Sequence, residues 1–106
     1  LSKPQYKDNI EEIRIEGHTD SSGGYIYNME LSQDRTRTVL AFCLNQITKK
    51  DFEWAKHAIT ANGLSSSHPI IGKNGLEDAD RSRRVEFKIR TNAEKQLEEI
   101  AIKRGK

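Results

Sequence analysis

The sequence predicts an α/β domain, with helices laid on one face of a small mixed β-sheet. Two alternating stretches and one helical stretch between them carry the prediction. In Ile13-Arg14-Ile15-Glu16 the period is two, and it is two again over 83–90. There Val85, Phe87 and Ile89 point one way, and Arg84, Glu86, Lys88 and Arg90 the other. Between these stretches Leu31, Val39, Phe42, Cys43 and Ile47 recur at three- and four-residue spacings or their sums, as one stripe of a helix over 29–47. The order strand–helix–strand–strand, with helical patterns before and after, gives two layers.

Taken in order, residues 1–12 read as a lead-in, where Pro4 suits a start and Tyr6 and Ile10 fit the end of a short helix. The strand at 13–16 runs into a polar loop, 17–24, whose Gly23-Gly24 permits backbone angles closed to other residues. Asn28 suits the N-cap of the long helix, with Ser32 to Arg37 facing out or toward the loop. After a polar break at 48–51, Phe52 and Trp54 alternate with charged residues, and Ala58-Ile59-Thr60-Ala61 reads as a second strand, preceded by a helical turn. Asn62-Gly63 ends it. A Ser- and Gly-rich loop fills 64–75, 76–82 is charged and irregular, and the strand over 83–90 follows. From Asn92 to Lys106 Leu97, Ile100 and Ala101 form a short helical stripe, read as a terminal helix docked on the sheet.

Length and charge narrow the function. The 106 residues suffice for one domain over 1–106 with a modest core. A formal charge of +2, from 18 basic and 16 acidic residues, offers no general case for nucleic acid. The single cysteine, Cys43, excludes an intrachain disulfide and reads as a small hydrophobe on the helix. No apolar run approaches the roughly 18 residues of a membrane span.

The chemistry concentrates where the first strand, the loop and the helix start meet. Asp20 closes the strand, and Asn28, Leu31 and Arg35 follow on one helical face. Helical side chains lean toward the N-terminus, so Arg35 can reach back to the first turn. Two readings stay open on these residues. Asp20 and Arg35 form a plain ion pair that fixes the loop, or they are kept apart to read a zwitterion. In the second, Asp20 accepts an ammonium, and Arg35 and the free amides of the helix start hold a carboxylate.

Three blocks in order resemble the OmpA C-terminal-like domain: Ile13-x-Ile15-Glu16-Gly17-His18-Thr19-Asp20, Asn28-x-x-Leu31-Ser32-x-x-Arg35, and Arg83-Arg84-Val85-Glu86-Phe87. Asn62-Gly63 and His68-Pro69-Ile70 add to the likeness, which covers about residues 10–90. The resemblance implies an OmpA-like two-layer sandwich without cofactor or metal, binding peptidoglycan non-covalently through the diaminopimelate of its stem peptide. Asp20 would take the ammonium and Arg35 the carboxylate. Asn28 and Leu31 would shape the helix start, Tyr27 and Thr19 would line the mouth, and Arg83 or Arg84 would border the far side. A periplasmic location follows, as part of a membrane-attached envelope protein: an outer-membrane barrel, a lipoprotein, or a flagellar MotB-type or antiphage ZorB-type motor stator. A homodimer is compatible with it. The family's first strand and most of its first helix are expected upstream of Leu1. Ser82 stands where the family has Asn, and Thr36 where it usually has Ala.

Other function classes have their own residues. His18-x-Asp20 with His57 and His68 would suit a metal-dependent or other hydrolase on cell-wall fragments, but no established hydrolase motif accompanies them. The simpler reading of His18 is structural, its ring hydrogen-bonded to backbone. A protein-interaction domain would need only the structural Asp20–Arg35 pair. Arg81, Arg83, Arg84, Lys88 and Arg90 cluster around Phe87, yet Phe87 shares the apolar face with Val85 and reads as core rather than as a base-stacking platform.

Overall fold

The computed structural model describes residues 9–92. The expected terminal helix over 92–106 therefore lies, apart from Asn92, outside the described residues. The order is β1 (Ile10–His18), α1 (Tyr25–Asn45), α2 (Lys49–Ala58), β2 (Ile59–Gly63), α3 (Ala79–Ser82) and β3 (Arg84–Thr91). The three strands form one mixed sheet in the order β2-β1-β3, β1 parallel to β2 and antiparallel to β3. The predicted α/β architecture is thus observed. Several boundaries differ. Ile10 to Glu12 belong to β1, not to the end of a helix. A full helix, α2, rather than a single turn, precedes β2. The segment before β3 contains the short helix α3 and a bridge between Ile71 and Glu77.

Alternation in β1 buries Ile13 and Ile15 under the helices, with Ala55 and Ala58 of α2 completing the buried apolar core. α1 meets the sheet differently. Gly17 and Gly63 lie side by side in the β1–β2 register. They leave a patch without side chains, and the backbone of α1 settles directly on it. A Cβ on Gly17 would come within 2.7 Å of the Ser32 carbonyl oxygen and of Thr36 Cγ2; one on Gly63 would come within 2.5 Å of Gln33 N. The side chains that suit such an approach are small. Asn28, Ser32 and Thr36 are the buried residues of α1, whereas Phe42 is 65% exposed. This corrects the expected orientation of 32–37: Ser32 and Thr36 face the sheet. Their hydroxyls bond within the helix, Ser32 Oγ to the Met29 carbonyl and Thr36 Oγ1 to those of Ser32 and Gln33. No polar group is stranded by this burial.

Val85, Phe87 and Ile89 share a sheet face with Ile13 and Ile15, as the alternation predicts. They are exposed all the same, because α1 and α2 cover the β1–β2 side. Phe87 joins Ile13, Ile15, Phe42, Cys43, Gln46, Ile47, Trp54 and Ile59 around an open apolar groove of about 290 Å³.

Candidate functional site

Between β1 and α1 the chain makes a tight, internally bonded loop. α1 starts at Tyr25, with Gly24 rather than Asn28 as its N-cap. Asn28 instead lies inside the first turns and is 4% exposed. Its amide donates to the Ser22 carbonyl at 2.9 Å and to that of Asp20 at 3.4 Å, tying the loop to the helix. Gly23, at φ +83°, supplies the left-handed turn between them.

Ser65 ties this loop to the β2 exit, a role no sequence motif announces. Its backbone amide donates to Ser32 Oγ at 3.1 Å and its hydroxyl to the Tyr25 carbonyl at 2.7 Å. Its own carbonyl accepts from Thr19 N at 2.9 Å. It pays for this with a left-handed φ of 54°, unusual in a residue with a side chain.

Asp20 does not pair with Arg35. Its Oδ1 accepts from Ser22 N at 3.0 Å and Ser22 Oγ at 2.5 Å, and its Oδ2 from Arg83 Nη1 at 2.5 Å. Hydrogen bonds from Ser22, then the one from Arg83, hold the carboxyl below its usual range. Arg83 also donates through Nη2 to Asp80 of α3. Beside this link, Ser21 N donates to the Glu77 carboxylate at 2.9 Å. Glu77, Asp78 and Asp80 line a surface depression of about 530 Å³. Of the two arginines that the sequence leaves open, Arg83 is therefore the one in contact with Asp20. Arg84 turns to the carbonyls of Ser82 and His68 and to Glu86.

The other expected site residues lie just after β1 and along the first half of α1. Thr19 is buried, its hydroxyl on the Asp20 carbonyl; Tyr27 is exposed and Leu31 half-buried. Arg35 is exposed and has no hydrogen-bond or ion-pair partner among the described residues. The Asp20–Arg35 pair is thus not formed, and Asp20's counter-ion comes from a segment 63 residues away.

On the opposite sheet face, Glu16 pairs in register with Glu86, and His18 with Arg84. Glu16, His18 and Glu86 bring three potential metal-ligand atoms within 4.8 Å of one another. Their surroundings favour a charge ladder instead. Glu86 accepts from Arg84 at 2.5 Å and Lys88 at 2.9 Å, and Arg14 lies 3.6 Å from Glu16. Bonds from Arg84, then Lys88, hold the Glu86 carboxyl down to about 2. With cations on both acids, a divalent ion would have to compete with their ammonium and guanidinium groups. The basic residues of β3 are likewise matched, Arg90 by Glu11 and Glu12.

His18 corrects another expectation. Its ring makes no hydrogen bond to backbone; both nitrogens are buried without a hydrogen-bond partner, Nε2 lies 3.8 Å from Glu16 Oε1, and the ring packs edge-on against His68 at 5.8 Å. Burial, then the Arg84 guanidinium, lower its pKa from the ordinary 6.5. A lowered folded-state value means that below this pH the unfolded chain binds a proton that the folded chain refuses. The stabilisation is full above 6.5 and is lost as pH falls through the depressed value. Between about pH 7.5 and about pH 5.5, the wild type is expected to lose a few degrees in thermal midpoint, and His18→Gln distinctly less. Equal losses would remove His18 as the cause.

Comparison with known proteins follows the same stretch. The model of the OmpA family matches residues 1–83. The chain is 47% identical over 105 residues to the Zorya protein ZorB of Escherichia coli Crooks, covering 90% of this chain and 44% of that protein. It is 31% identical to the probable lipoprotein YiaD of Escherichia coli K12, over 73% of this chain and 32% of that one. It is 33% identical to outer membrane protein A of Bordetella avium, over 76% of this chain and 39% of that one. The chain spans less than half the length of each of these relatives.

Proposed function

Because this chain belongs to the OmpA family, we propose that it anchors a larger cell-envelope protein to the wall by binding peptidoglycan non-covalently. The ligand is the free end of diaminopimelate in the stem peptide, where ammonium and carboxylate share one carbon. Asp20 takes the ammonium, and Arg35 takes the carboxylate. Thr19 and Asn28 hold the loop that carries Asp20, and Tyr27 and Leu31 flank its mouth. The observation that carries this reading is that Asp20 and Arg35 are not spent on each other: the Arg35 guanidinium is exposed and without a partner among the described residues. A guanidinium in that condition suits bidentate capture of a carboxylate. The domain works by binding and needs no catalytic step. It works in the periplasm, as part of a membrane-attached protein, and the 47% identity to ZorB supports the ZorB-type reading of that protein over the lipoprotein and barrel ones.

Co-sedimentation with purified sacculi tests the proposal. The domain is expected to pellet with diaminopimelate-type sacculi and to be released by soluble stem peptides carrying diaminopimelate. Stem peptides with lysine at that position, whose side chain ends in an ammonium alone, are expected to release far less. Equal release by both peptides would sink the zwitterion reading.

A further inference from the structure

We propose that Arg83 is an exchangeable counter-ion, and that the exchange makes the Asp20 site select zwitterions over plain ammonium groups. This deepens, and rests on, the peptidoglycan reading above.

Both carboxylate oxygens of Asp20 are occupied in the folded chain. Ser22, a loop neighbour, holds Oδ1 through its amide and hydroxyl. Arg83 holds Oδ2. An incoming ammonium competes with Arg83, not with Ser22, because the Ser22 bonds are local and fix the carboxylate's orientation. The side chain of Asp20 is only 14% exposed, so there is little room for a second cation to approach without moving the first.

Arg83 has somewhere to stay. Its other terminal nitrogen bonds Asp80, three residues back in the chain, whose side chain is 90% exposed. Leaving Asp20 therefore does not release the guanidinium; it remains tethered beside the site with one set of donors vacated. A ligand that brings a carboxylate on the same carbon as its ammonium fills those donors. A carboxylate has about four lone-pair positions, enough for Arg35 and Arg83 together.

The exchange then has opposite outcomes for two kinds of ligand. With a zwitterion, one Asp20–Arg83 pair becomes two pairs, ammonium with Asp20 and carboxylate with Arg83. With a lone ammonium, the Asp20–Arg83 pair is broken and Arg83 receives nothing in return. Arg83 thus penalises cations such as a lysine side chain while leaving diaminopimelate unpenalised.

The test is calorimetric titration of the domain with two soluble stem peptides, alike except for diaminopimelate or lysine at the third position. In Arg83→Gln the preference for the diaminopimelate peptide is expected to narrow about fivefold, the scale of one partly exposed ion pair. Most of the narrowing comes from tighter binding of the lysine peptide. An unchanged preference in Arg83→Gln, with Asp20→Ala losing the diaminopimelate peptide, overturns the counter-ion role and leaves the site intact. Wild-type binding by Asp20→Ala would instead overturn the site itself.

Discussion

Gly63→Ala is expected to lower the unfolding free energy by about 3 kcal/mol, at the upper end of the range for overpacking a well-packed interior. The new methyl would lie 2.5 Å from Gln33 N and 2.7 Å from Gln33 Cα, which are helix backbone and cannot rotate away. The fold's only response is to lift α1. That lift strains the bonds that rely on the close approach: Gln33 to the Ala61 carbonyl and to Gly63 N, and Ser65 N to Ser32 Oγ. Gly17→Ala meets one rigid atom, the Ser32 carbonyl oxygen, and one side-chain atom, Thr36 Cγ2. Thr36→Ala removes the second obstacle but not the first, so the pair should cost less than the sum of the single changes. Urea unfolding with an unchanged slope measures both effects. A Gly63→Ala protein within about 0.5 kcal/mol of wild type, the spread of inconsequential surface changes, would refute the close-packing account.

Asp20→Ala and Arg35→Ala are each expected to weaken binding to sacculi about 10- to 100-fold, the range for removing a hydrogen-bonded charged partner. Both residues lie outside the apolar core, so the variants should keep the wild-type far-ultraviolet spectrum. Conservative changes separate the roles. Asp20→Asn still accepts from Ser22 but no longer carries the charge that an ammonium needs, and should lose nearly as much as alanine. Arg35→Lys keeps the charge and gives up the two-pronged geometry, so it should fall between wild type and alanine. Wild-type co-sedimentation by both alanine variants would mean that the wall is held elsewhere on the domain.

The strands were legible because period-two alternation is a property of the backbone, and Ile13 and Ile15 of β1 share a sheet face with Phe87 and Ile89 of β3 as that alternation requires. The buried face of α1 was not. A hydrophobic stripe marks a helix that packs through side chains, whereas the upper half of α1 packs through its backbone on two glycines. Ser32 and Thr36 therefore look like surface residues in the sequence while being fully buried. Asn28 misled for a related reason. Its amide does bind loop carbonyls, but from inside the helix, so a residue type favoured at caps marked a start four residues too late. In the candidate site, Asp20, Asn28 and Arg35 stood out through local spacing. Ser65 and the partnership of Asp20 with Arg83 did not, because they depend on the loop after β2 folding back on the loop after β1. Nothing in a one-dimensional pattern records which distant cation reaches an acid first.

The apolar groove beside β3 also gives the domain its own optical reporter. Trp54 is the only tryptophan and Cys43 the only cysteine in the sequence, and both line that groove. Whatever settles there, whether chain, partner or detergent, removes water from the indole and shifts its emission to shorter wavelength. A thiol-reactive quencher on Cys43 would turn the same event into an intensity change. Occupancy of the groove can therefore be followed in the natural sequence, independently of the wall binding proposed for the opposite end of α1.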